Sequence, residues 1–154
     1  MASTQELSAS LEDYLEAIYH LIDEGQVARV RDIAARLNVQ MPSVTGALRA
    51  LASKDLVSHD PYSYVTLRPA GERIAREVVR RHEVLTGFLG DFLGLGRAVA
   101  ERNACTMEHA MEGVVLDRLV EYIESHAGRG GAPSGTPQAK GREKRKQVPL
   151  EKSS

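Results

Sequence analysis

The stretch VRDIAARLNVQMPSVTGALRALASKDLVSHDPYSYVTLRP, residues 30–69, decides the fold. It opens with eight residues in which Val30, Ile33, Ala34 and Leu37 fall on one side of a short helix. Asn38-Val39-Gln40 interrupts the pattern, and helical spacing resumes through Val44, Leu48, Leu51 and Leu56. Pro42 is tolerated there because its missing N–H falls in a first turn. Two short helices joined by so few residues make a helix-turn-helix. Residues 56–59 and 64–67 are β-rich and flank the turn-forming Asp60-Pro61-Tyr62-Ser63, which predicts a hairpin. Upstream, LEDYLEAIYHLIDEG (11–25) repeats Leu11, Leu15, Ile18, Tyr19 and Ile22 at helical spacing, with Ser10 available as a cap and an end near Gly25. Helix, helix-turn-helix and hairpin in that order are a winged helix, whose hairpin lies beside a DNA backbone.

Downstream, the pattern from residue 70 to about 93 predicts one long helix, weakened late by Gly87 and Gly90. Two more helices follow at roughly 97–110 and 112–125. Val78, Val84, Leu85, Phe88, Leu89, Val114, Val115, Leu116, Leu119 and Ile123 are more apolar surface than three helices bury alone, which predicts a homodimer. The fold class is therefore mainly α: an N-terminal winged helix-turn-helix (1–70), an all-helical dimerisation domain (71–126) and a disordered basic tail (127–154). The tail is rich in Gly, Pro, Ser and Lys and cannot offset its ordering entropy by burial.

With 154 residues, 42% hydrophobic and 27% charged, the chain has material for a real core but not for a multidomain enzyme. Its formal net charge of -1 hides an asymmetry: seven Lys/Arg against two Glu in the last 28 residues, a net of +5, leave -6 on the rest. The single Cys105 cannot form an internal disulfide, and MASTQELSAS lacks the basic-then-apolar layout of an export signal, so a reduced cytoplasmic location is expected. No apolar run approaches the roughly 18 residues that span a bilayer.

The start of the second helix of a helix-turn-helix points at base edges, which nominates Gln40, Pro42, Ser43, Thr45, Gly46 and Arg49. Ser and Thr offer a hydroxyl and apolar carbon, whereas Arg can grip guanine or a phosphate with two N–H groups. Arg29, Arg31, Arg36, Lys54 and Arg68 are candidates for phosphates, in a segment (26–68) with six basic and three acidic residues. The partner expected is double-stranded DNA carrying a palindromic operator, read by the two halves of a dimer.

A second constellation lies in ERNACTMEHAME (101–112). Cys105 stands three residues before Glu108 and four before His109, so all three can share one side of a helix. Asp13 and Glu16 are three apart on the first helix, and His82 follows two arginines on the long one. Thiolate, imidazole and carboxylates together suit a borderline divalent transition ion better than calcium or magnesium, and structural zinc would use more Cys and His. The plain alternatives are a Cys acting as a small hydrophobe, a surface His, and acids that favour a helix N-terminus.

In order and spacing, SLEDYLEAIYHL (10–21), VRDIAARLNVQMPSVTGALRAL (30–51), VTLRPAGERIAREVVRRHEVL (65–85) and ACTMEHAM (104–111) resemble the diphtheria toxin repressor family of metal-activated transcriptional repressors. The resemblance covers about residues 8–125. It implies a two-domain form like the manganese-sensing branch, with ligands at Asp13, Glu16, His82, Cys105, Glu108 and His109 and with Fe(II) or Mn(II) as cofactor. Cys105 departs from the Glu of that branch and matches the Cys-x-x-Glu-His unit of the iron-sensing branch. The iron branch's Met is replaced by Asp13, and its ancillary ligands by Thr86 and Glu101, so that ancillary site does not carry over. The family's base-contacting Gln is replaced by Gly46, which leaves Pro42, Ser43 and Thr45 as the contacts carried over.

The function expected is that of a metal-dependent repressor of iron or manganese homeostasis, not an enzyme. Two other classes compete. A winged-helix regulator responding to a non-metal ligand would keep the DNA face without the ligand set. An enzyme using Cys105 as nucleophile and His109 as base would need an oxyanion device that the sequence does not offer.

Overall fold

The computed structural model describes residues 7–60 and 63–128. Its first helix, α1 (Ala9–Asp23), is capped by Ser8 and not by Ser10. The Leu11 N–H donates to the Ser8 hydroxyl at 3.4 Å, and the Ser8 carbonyl accepts from Leu11 and Glu12. Tyr14, Leu15, Ala17, Ile18 and Leu21 are buried, whereas Ile22 is 42% exposed. The inward stripe is thus rotated from the predicted one, because both α2 and α4 press on this helix and it needs a wider apolar face.

Gly25 turns the chain at a φ of +74°, a left-handed conformation that suits glycine. Arg36 reaches back to Glu24 through two hydrogen bonds of 2.9 and 2.6 Å, which holds α2 (Val30–Leu37) against the end of α1. Asn38 ends α2 in the left-handed region, with φ 53° and ψ 47°, and so makes the helix-turn-helix corner. Helix α3 (Met41–Ser53) begins after Gln40, with Pro42 in its first turn, and buries Val44, Leu48 and Leu51 as the spacing predicted. Strands β1 (Val57–His59) and β2 (Val65–Leu67) pair antiparallel, with Ser58 opposite Thr66. Ala28 adds an isolated bridge to Val65, which joins the hairpin to the loop before α2.

Helix α4 (Pro69–Gly87) belongs to both halves of the molecule. Ala75 closes the first core, around Leu15, Ile18, Ile33, Leu48, Leu51 and Val65. One end of α4 supplies Leu85 to a second core with Leu89, Ala100, Ala104, Leu116 and Val120. The predicted continuation to residue 93 is corrected: after Gly87 the backbone widens into a π turn (Phe88–Phe92), in which the Leu93 N–H donates to Phe88 at 3.1 Å. Glycines at 87 and 90 make that widening cheap, and Gly94, with a φ of +71°, redirects the chain. Helices α5 (Arg97–Ala110) and α6 (Gly113–His126) complete the described residues, and positions 129–154 of the predicted tail lie outside them.

The second core is small beside the apolar surface around it. Phe92, Leu93, Leu95, Val99, Val114, Val115 and Tyr122 are each 39–64% exposed. Val114 and Val115, read from the sequence as surplus, are among them, whereas Leu85, Leu89 and Leu116 are spent on the core of one chain.

Gly71 sits where the start of α4 meets Leu56, the residue before β1, and a Cβ there would overlap the Leu56 carbonyl oxygen. The same carbonyl accepts the Arg68 N–H at 2.9 Å, so it has little freedom to retreat. Gly71→Ala is therefore expected to destabilise the fold by about 1–3 kcal/mol, the usual cost of overpacking. Urea unfolding of both proteins at one pH checks this.

Candidate metal centre and DNA face

Three helices bring the nominated ligands together. Helix α5 sets Cys105, Glu108 and His109 on one side, with one ligand atom of each within 4.8 Å of the others. Asp13 reaches that cluster from α1, its Oδ1 3.3 Å from His109 Nε2. From α4, His82 Nδ1 stands 3.4 Å from Glu108 Oε2. Glu16 points differently: its Oε1 lies 3.5 Å from Nε2 of His20, one turn along the same helix. Its charge is still felt by Asp13, His82 and Cys105.

The His82–Glu108 contact is short but not aligned as a hydrogen bond. His82 Nδ1 and Glu108 Oε2 are both buried and without a hydrogen-bond partner, and the Glu108 side chain is only 9% exposed. Unsatisfied buried polar atoms cost free energy unless something answers them. The electrostatics agree. Burial pushes Asp13 up, and Glu16 and Glu108 push it further against the opposing pull of His109. Burial likewise raises Cys105, with Glu108, Asp13 and Glu16 adding to it. Glu108 raises His82 more than burial lowers it. Every shift describes a place with too much negative charge and too little water. A divalent cation would reverse each of them, and a thiolate, two imidazoles and three carboxylates are a donor set that fits a transition ion.

Glu12 and Arg81 belong here too, and neither was nominated from the sequence. With Asp13, Val78, Glu108, His109 and Leu116 they line a cleft of about 20 Å³, room for one water-sized particle. Burial raises Glu12 while Arg81 opposes the rise. Arg81 Nη2 forms an ion pair with Asp117 Oδ1 of α6 at 2.8 Å, and Arg81 Nε lies 3.3 Å from Glu77. The signal was present in the spacing: position 81 is three past Val78 and four before Leu85, on the buried stripe of α4.

In the winged helix, Gln40, Pro42, Ser43 and Arg49 are exposed at or along α3. Thr45 is half-buried, and its hydroxyl donates to the Met41 carbonyl at 3.2 Å. The Arg31 side chain is 68% exposed and lies 3.3 Å from Asp32. Arg68 lies 3.3 Å from Asp55. Arg36 is paired with Glu24 through both of its terminal nitrogens.

The chain belongs to the iron dependent repressor family. The profile of that family's N-terminal DNA binding domain matches residues 6–65, and the profile of its metal binding and dimerisation domain matches residues 68–134. An HTH-type transcriptional regulator of Methanocaldococcus jannaschii is 34% identical over 119 residues, 77% of this chain and 95% of its own length. The transcriptional regulator MntR of Salmonella typhimurium is 38% identical over 116 residues, 75% of this chain and 73% of its own. Among solved structures, a manganese-dependent transcriptional repressor in complex with manganese superposes with a TM-score of 0.64 and 29% identity, over 74% of this chain and 52% of that one. The chain thus spans about half the length of that repressor, as it does of the manganese regulator SloR, 53% of whose chain it covers. Among the described residues, no helix is long and apolar enough to cross a membrane.

The shifts at Asp13, Glu12 and His82 are all upward, so the folded metal-free chain holds protons more tightly than the unfolded one. Its stability should therefore fall as pH rises. The two carboxyl groups act above about pH 4, and His82 acts from about pH 6.5, its ordinary value, upward. Calorimetric scans in chelator from pH 5 to 8.5 should show a declining Tm with a shallower decline in Glu108→Gln. A flat or rising profile contradicts the crowding described here.

Proposed function

We propose that the chain is a homodimeric repressor of iron or manganese homeostasis, switched on when Fe(II) or Mn(II) binds Asp13, Glu16, His82, Cys105, Glu108 and His109. One observation carries the reading: the contacts of 3.3 and 3.4 Å that join α1 and α4 to α5 meet around buried atoms with no partner. Both manganese in the complex of a similar repressor and the family's metal-binding domain support it.

The bound cation would supply the positive charge that three carboxylates and a thiol otherwise lack. The protein does the rest. Asp13 and Glu16 tie the winged helix (1–70) to the helical part (71–126), where His82, Cys105, Glu108 and His109 are held by the second core. Without that tie, like charges on α1 and α5 repel and loosen the orientation of α3. With it, two copies joined through Phe92, Leu93, Leu95, Val99, Val114 and Val115 present their reading helices at one spacing. Arg31, Gln40, Pro42, Ser43, Thr45 and Arg49 contact a palindromic operator in the cytoplasm. Ion and operator must then strengthen each other's binding by the same factor.

Cys105 favours Fe(II) through the softness of its thiolate, and Asp13, an oxygen donor, favours Mn(II). A small organic effector is less well served. The cleft between α1 and α4 has about 230 Å³, below the usual range for such ligands. Its Arg76 and Arg80 are already engaged by Glu72, Glu77 and Glu124.

Co(II) titrated into the protein is expected to give sulfur-to-metal charge-transfer absorption that Cys105→Ala abolishes. With Mn(II), affinity for duplexes selected from a random pool should rise about 5–150-fold, the common range for coupled sites. Glu108→Ala should reduce that factor to near one while the dimer persists in sedimentation. Equal affinity with and without metal in the unaltered protein would overturn the reading.

A further inference from the structure

The leading turn of α3 exposes hydrogen-bonding groups at Gln40 and Ser43, and between and beyond them it exposes surface that has none. Its first residue, Met41, is 53% exposed, an unusual place for a large apolar side chain that no core requires. Pro42 beside it is exposed and has no N–H. One turn on, the Thr45 hydroxyl is committed to the Met41 carbonyl at 3.2 Å, which removes its proton from any base. Gly46 offers no side chain at all, and nothing lies within 4 Å of where its Cβ would stand. Arg49, exposed eight residues beyond Met41, shares its side of the helix through two steps of four.

The exposed apolar surface at 92–115 lies in the helical half, separate from this turn. Met41 is therefore not accounted for by the dimer. Thymine is the one base that offers a methyl group in the major groove. A thioether is flexible and polarizable, so it can settle over such a group without a demanding geometry.

We propose that Met41, flanked by Pro42, reads thymine methyl groups and so sets part of the sequence preference of this chain. The inference rests on the reading of α3 as the DNA-contacting helix. It differs from recognition by hydrogen bonds because it depends on a single carbon atom of the DNA.

That dependence gives the test. The Mn(II)-loaded full chain is used to select duplexes from a random pool, and the recovered half-site is resynthesised with deoxyuridine in place of each thymidine in turn. Fluorescence anisotropy should find at least one position where losing the methyl weakens binding about threefold to fivefold, the effect of one buried methyl group. In Met41→Ala that penalty should shrink to near one, while Met41→Leu keeps most of it. Because Met41 is exposed, both variants should melt like the parent. Duplexes that bind tightly but tolerate deoxyuridine everywhere, or a penalty unchanged in Met41→Ala, overturn this inference alone. Failure to recover any duplex removes it together with the regulator reading.

Discussion

Like charges gathered where three helices meet are the constraint on which the rest of this structure depends. Asp13, Glu16 and Glu108, with Glu12 beside them, come from α1 and α5, and His82, His109 and Arg81 face them, with His20 beside Glu16. An arrangement built purely for stability would replace such a half-satisfied cluster with apolar side chains. This one is kept at the joint between the winged helix and the helical half. Its cost in the metal-free chain is what gives a cation something to gain there.

The joint can transmit because the parts on either side of it are firm. Around Leu15, Ile33, Leu48 and Val65 the winged helix has a closed core, and the close approach of Gly71 to Leu56 locks the hairpin to the start of α4. On the other side, Arg81 reaches Asp117 and Arg80 reaches Glu124, so α4 is fastened to α6, the helix that exposes Val114, Val115 and Tyr122. Ligand set, α4 and the surface proposed for pairing thus form one connected body.

Much of the fold was legible because its signals are local. Val44, Leu48 and Leu51 announce α3 by spacing, Asn38 marks the corner, and the alternation around Val57 and Val65 marks the hairpin. Where reading failed, a distant partner had decided the outcome. Ile22 satisfies the periodicity of α1 yet is exposed, because the helices packed on α1 select Leu21 instead. Arg36, a candidate for phosphates by charge, is paired with Glu24, twelve residues earlier, which no local pattern announces. The π turn at Phe88–Phe92 was visible only as weakness at two glycines.

The candidate ligands divide in the same way. Cys105, Glu108 and His109 are one helix face and can be read as a unit, whereas Asp13 and His82 converge on them only through the packing of α1 and α4. Arg81 and Glu12 were missed because a half-buried charge among candidate ligands has no motif of its own. The most direct measurement is anomalous diffraction at the manganese edge from crystals of the protein grown with Mn(II). The account predicts a peak within coordination distance of both Asp13 and His109, joining α1 to α5. A peak bound by α5 alone, with Asp13 turned to solvent, would contradict it.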